Sequence, residues 1–105
     1  MAASPRKLGI LISVGPEHPN FQHGAQVAAA AINAHDEVFL YCLDEAVRGV
    51  EDPRLQTLRN HGLRLFACAF AAQRRKIPQG ENALYGGLPQ LNDVMASADR
   101  FVSFN

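Results

Sequence analysis

Residues 63–76 read LRLFACAFAAQRRK. The first five, Leu63-Arg-Leu-Phe-Ala67, form a short apolar run of strand type. The Ala-rich segment Ala69 to Lys76 that follows has the composition of a short helix. A strand that passes directly into a helix is the repeating joint of an α/β fold, and Cys68 stands at that joint. The sulfur has two readings. It is either a nucleophile displayed at a strand end or a small apolar residue packed among Phe66, Phe70 and Ala71, since free cysteine is among the most buried residue types.

The same alternation extends in both directions. Upstream, Leu8-Gly-Ile-Leu-Ile-Ser-Val14 is a nearly continuous apolar run closed by Gly15-Pro16, the pattern of a strand buried on both faces. Ala25 to Ile32 is an Ala-rich helix preceded by polar Asn20 and Gln22 and ending near Asn33. Glu37 to Leu43 is a second strand, and Asp44-Glu45 opens a polar turn or short helix. Asp52-Pro53 supplies a capping side chain followed by proline at the first helical position, and the helix stops at His61-Gly62. Downstream, Asn82 to Tyr85 reads as a short strand, Gly86-Gly87 as a turn, Leu88 to Ala98 as a helix and Arg100 to Phe104 as a last strand. This order predicts an α/β fold: a single-domain three-layer sandwich with a mostly parallel five-stranded sheet, flavodoxin-like topology and right-handed crossovers.

In such sheets ligands and substrates meet the carboxyl ends of the strands. These are Ser13-Val14-Gly15, Cys42-Leu43-Asp44 and Ala67-Cys68-Ala69. A thiol at a helix start feels unpaired backbone N–H groups, which favour thiolate over thiol and lower a pKa from its free value of about 8.5. Such a sulfur can attack a persulfide or carry a terminal sulfur atom. Cys42 would resolve a disulfide with Cys68 only if their Cα atoms approached within about 7 Å; a buried structural thiol is the favoured reading.

Arg74, Arg75 and Lys76 follow Cys68 by six to eight residues, or ~9–12 Å along a regular helix, too far for a direct ion pair. They complement the helix C-terminus, or form a basic rim that attracts an acidic partner or anionic sulfur donor. Gly15 and Pro16 lack a phosphate-binding pattern and read as a shaping turn. Glu17 and His18, in that same loop, are the nearest candidates for an acid-base helper, against a plain solvated role. The four histidines show no ligand spacing, and neither metal nor cofactor is expected.

Ten basic and ten acidic side chains cancel, which removes the main driving force for nucleic-acid binding. No apolar run approaches the ~20 residues of a membrane span, and Met-Ala-Ala-Ser-Pro-Arg-Lys leads into the first strand without a signal-peptide core. The expected location is cytoplasmic, where two cysteines remain free thiols.

The segment Cys68-Ala-Phe-Ala-Ala-Gln-Arg-Arg-Lys-Ile77 resembles the surroundings of the active cysteine in the DsrE/TusD-type sulfur-relay proteins of the DsrE/DsrF-like family. The likeness extends more loosely to Ile10–Phe21, Gly86-Gly87-Leu88 and Ala96–Phe104, and so over nearly the whole chain, 1–105. It implies a five-stranded parallel sheet, a homotrimer or hexamer, sulfur donor and acceptor proteins as partners, and a persulfide on Cys68. A second cysteine that some relatives carry three residues on is here Ala71, and Lys76 stands where glycine is usual. The expectation is a sulfur carrier or sulfurtransferase. The alternative is a non-catalytic oligomeric binding or scaffolding module; a nucleotide-binding flavodoxin-like protein is a distant third.

Overall fold

The computed structural model describes residues 6–105, in which strands and helices alternate along the chain. The elements are β1 (Lys7–Ile12), α1 (Pro19–Asn33), β2 (Glu37–Cys42), a 3-10 helix (Asp44–Gly49), α2 (Pro53–Arg59), β3 (Arg64–Cys68), α3 (Ala69–Arg74), β4 (Leu84–Gly86), α4 (Leu88–Ser97) and β5 (Arg100–Phe104). All pairings are parallel, in the order β4-β3-β2-β1-β5. The three-layer parallel sheet is the one expected. Its winding differs in one respect from the 2-1-3-4-5 order of flavodoxin-like sheets: the chain reverses between β1 and β5. The reading of Met1 to Pro5 lies outside the described residues, and among those residues no helix is long and apolar enough to cross a membrane.

The winding sets the layers. From β1 to β4 every crossover steps the same way, so right-handedness places α1, α2 and α3 on one face; the return from β4 to β5 places α4 on the other. Ile10, Ile12, Val38, Leu40, Cys42, Leu65 and Ala67 alternate onto the three-helix face and are buried. They meet Phe21, Ala25, Ala28 and Ala31 of α1 and Leu55 of α2 in one core. Small residues let α1 sit close, for a Cβ at Gly24 would lie 2.7 Å from Ile12 Cδ1.

Helix α1 starts six residues before the Ala-rich segment. His18 Nδ1 accepts the Asn20 N–H at 3.1 Å and Pro19 occupies the first helical position, where its missing N–H costs nothing. Histidine is an unusual cap, which is why the sequence pattern pointed later. Helix α3, expected to reach Lys76, ends at Arg74. Lys76 adopts φ +56°, its N–H bonds to Gln73 O at 3.1 Å and that of Ile77 to Ala72 O at 2.9 Å. This pair of bonds is a Schellman stop, whose left-handed residue is normally glycine. Gly62 (φ +109°) ends α2 in the same way.

Ion pairs tie the loops at the carboxyl edge. Arg48 bonds Glu17 at 2.6 Å and Glu45 at 2.7 Å, while Arg75 bonds Glu45 at 2.7 Å and also Asp44. The chain of charges joins the β1 loop, the 3-10 helix and the end of α3. Its members are exposed or half-buried, so it orders loops more than it stabilises the fold.

Two outcomes follow from these contacts. Lys76→Gly relieves a left-handed side chain and is expected to stabilise the protein by about 0.5–1 kcal/mol, whereas Gly62→Ala introduces one and destabilises by about 1–2 kcal/mol; urea midpoints measure both. Hydrogen bonds from Arg48 hold the Glu17 carboxyl, and those from Arg75 and then Arg48 the Glu45 carboxyl, below the usual 4.5. Their contribution is therefore complete above pH 4.5 and is lost as the pH falls through the lowered values. Arg48→Gln is expected to lower stability slightly at neutral pH and to leave it unchanged below the lowered carboxylate values, which flattens the acid limb of a stability–pH curve.

Candidate functional site

Cys68 is the last residue of β3 and the N-cap of α3. Its backbone is extended, with φ −72°, and its Sγ accepts the N–H of Ala71 at 3.4 Å. The side chain is 7% exposed. Its partner across the edge is Gly86 of β4. Gly86 lies against the Gln90 side chain: a Cβ there would come within 2.1 Å of Gln90 Oε1, which would have to move. That oxygen is buried without a hydrogen-bond partner.

Side-chain alternation separates the two thiols. Cys42 is in register with Ala67, so it shares the face of Ala67, while Cys68, the next residue, faces the opposite way. Cys42 is fully buried against the three-helix layer, and burial pushes its thiol up to about 12. A Cys42–Cys68 disulfide would have to pass through the sheet. Cys42 thus packs as a core residue and contributes nothing to the site beside Cys68.

Sequence reasoning missed Tyr41. It belongs to the face of Phe66 and Cys68, is fully buried, and its hydroxyl donates toward the carbonyls of Gly86, at 3.1 Å, and Gly87, at 3.3 Å. Burial first, and the neighbouring Cys68 sulfur next, raise its pKa to about 12. It remains a protonated donor at every physiological pH. The available signal was a phenol in the apolar strand Val-Phe-Leu-Tyr-Cys, one residue before its end.

The remaining candidates are engaged elsewhere. Glu17 is held by Arg48, His18 caps α1 and Gly15 is the buried glycine over which the Glu17 and Arg48 side chains close. A Cβ at Gly15 would meet Arg48 Nη2 at 2.1 Å. None of the three is available as a base beside Cys68. Arg74 lies over the Phe70 ring at 5.8 Å, and Arg75 binds Asp44, Glu45 and the Ala71 carbonyl. Arg75 is thus tied down and not a free cation of the rim, because its acidic partners are distant in sequence. No group of three or more His, Cys, Asp or Glu residues among the described residues is arranged to hold a metal ion.

Large apolar side chains on the elements next to Cys68 are exposed. Phe70, Leu84 and Leu88 are 65%, 63% and 65% exposed. Phe70 is the second residue of α3, Leu84 pairs with Phe66 at the start of β4 and Leu88 is the first residue of α4.

The fold and this geometry can be set beside known proteins. Comparison with curated proteins finds no match. Among solved structures, the ychN protein from E. coli superposes with a TM-score of 0.79 at 15% identity, over 96% of this chain and 100% of that one. That likeness speaks of the fold. The family model described as "DsrE/DsrF-like family" matches residues 6–104, and with nearly every described residue inside that match, the chain belongs to the DsrE/DsrF-like family.

Proposed function

We propose that the protein is a sulfur carrier, or sulfurtransferase, that passes sulfane sulfur through a persulfide on Cys68. The observation that carries this reading is the place of the sulfur: at the carboxyl end of β3, capping α3, with the Ala71 N–H directed at it from 3.4 Å. Membership of the DsrE/DsrF-like family, for which sulfur relay is a known role, supports it.

The chemistry is a pair of thiol–persulfide exchanges. The Cys68 thiolate attacks the outer sulfur of a donor persulfide. A new S–S bond forms at Cys68, the donor S–S bond breaks, and the donor cysteine leaves as a thiolate that takes a proton from solvent. An acceptor thiolate then attacks the outer sulfur of the Cys68 persulfide, and Cys68 is released as the thiolate. The sulfur atom moves at constant oxidation level, so no external oxidant is needed. A persulfide anion is larger than a thiolate and is held by the same N–H donor.

In this reading the partners are donor and acceptor proteins, and copies of the chain itself assembled as a homotrimer or hexamer in the cytoplasm. The rim of Phe70, Leu84 and Leu88 is where such partners seat, because exposed apolar patches of this kind mark contact surfaces. A net charge of zero leaves no long-range repulsion between copies.

The low exposure of Cys68, 7%, favours a second reading: a non-catalytic oligomeric binding or scaffolding module, with the sulfur merely packed. Intact mass after incubation with a persulfide donor separates the two. The expected adduct is one sulfur atom heavier, persists in Cys42→Ser and disappears in Cys68→Ser. No adduct, with Cys68 also resisting alkylation in the folded protein, defeats the carrier reading. Sedimentation tests the rim: Leu84→Glu is expected to shift an oligomer toward monomer by at least tenfold in dissociation constant, and an unchanged profile assigns the rim to other partners.

A further inference from the structure

Tyr41 projects across the sheet. It belongs to β2, yet its hydroxyl reaches the carbonyls of Gly86 in β4 and Gly87 beyond it, and β3 lies between these strands. Adjacent strands are about 4.8 Å apart, so the phenol and its hydrogen bond together span roughly two strand spacings. It does so on the face from which Phe66 and Cys68 rise, and Gly86 is the residue paired with Cys68. The phenol therefore ends at the backbone of the residue that faces Cys68 across the sheet edge.

Its hydrogen bonds are loose. A phenol has one proton, here facing two carbonyl oxygens at 3.1 and 3.3 Å, both longer than the 2.7–2.8 Å usual for O–H···O contacts. A proton held this weakly by neutral acceptors is free to turn to a stronger one. Cys68 has a complementary need, since its nearly buried sulfur receives a single N–H, that of Ala71. A buried anion with one donor is poorly solvated.

We propose that Tyr41 is the second hydrogen-bond donor to the anionic Cys68 sulfur, its proton turning from the Gly86 and Gly87 carbonyls to the sulfur when the thiol ionises. The S–H bond breaks and its proton leaves to solvent buffer, no other covalent bond changes, and the turn between β4 and α4 loses one tether in the same event. The assignment deepens the sulfur-carrier reading and rests on it for its purpose, though not for its measurement.

Other charged groups are placed so that they do not replace this donor. On β2, Cys42 faces the opposite side; on β3, Arg64 is exposed at the far end of the strand. On β4, Tyr85 is in register with Ala67 and shares its face. On α3, Arg74 lies over Phe70, while Arg75 is bound to Asp44 and Glu45 from the 3-10 helix. Helix α4 carries one charged residue, the exposed Asp93.

The test is the ionisation midpoint of Cys68, read in Cys42→Ala protein from thiolate absorbance and from the pH dependence of alkylation by iodoacetamide. Tyr41→Phe is expected to raise the midpoint by about one pH unit, the size of a lost hydrogen bond to a charged group; an unchanged or lowered midpoint overturns the proposal. A second arm keeps the phenol in place. In Tyr85→Phe protein, biosynthetic fluorotyrosine at Tyr41 makes the hydroxyl a stronger donor and is expected to lower the midpoint, an effect that a merely space-filling ring would not produce. No movement there overturns the proposal even if Tyr41→Phe does not fold. Midpoint shifts in a protein that acquires no persulfide would uphold this donor and defeat sulfur transfer. An adduct without the shifts would defeat the donor alone.

Discussion

The right-handed crossover is the constraint on which this structure depends. Three successive crossovers that step in one direction must put their helices on one face, and the single return must put its helix on the other. The two faces therefore receive unequal cover. One is closed by α1, α2, α3 and the 3-10 helix over a core of Ile10, Ile12, Val38, Leu40 and Leu65. The other has α4 and a remainder of aromatic side chains, including Phe39 stacked on Phe66 at a centroid distance of 6.4 Å.

That inequality gives the two thiols their different characters. A difference of one position in register decides which face a strand residue occupies. Cys42 falls on the closed face and is chemically silent, its thiol raised to about 12 by burial. Cys68 falls on the thinly covered face, at the point where β3 ends and α3 begins. Among its neighbours there are Gly86, paired with it across the edge, and the Ala71 N–H directed at its sulfur.

Much of this was legible in the residues. Apolar runs such as Leu8–Val14 and Glu37–Leu43 mark buried strands because nothing else packs so many branched side chains in so short a span. Asp52-Pro53 marked the start of α2 because both residues act through local backbone geometry, and the side chain of Asp52 does accept the Arg54 N–H at 2.9 Å. The start of α1 was misplaced because imidazole capping by His18 has no strong sequence signal. In sequence Arg75 reads as complementing the end of α3 or forming a basic rim, and its pairing with Asp44 and Glu45 is not visible because they lie about thirty positions away and non-local pairing leaves no trace in spacing. Tyr41 was hidden for the same reason: its significance comes from β4, an element that joins it only through sheet order. Lys76 was noticed as a departure from glycine, but its strained backbone became visible only with the dihedral angle.

The opposed orientation of Cys42 and Cys68 has a consequence for oxidation. With the sheet between them, the chain has no internal thiol able to reach the Cys68 sulfur, and Ala71 offers none from α3. Whatever oxidised form Cys68 takes, mixed disulfide or sulfenic acid, must be discharged by a thiol from another molecule. The protein is in that sense an open circuit: its redox state is completed outside its own fold.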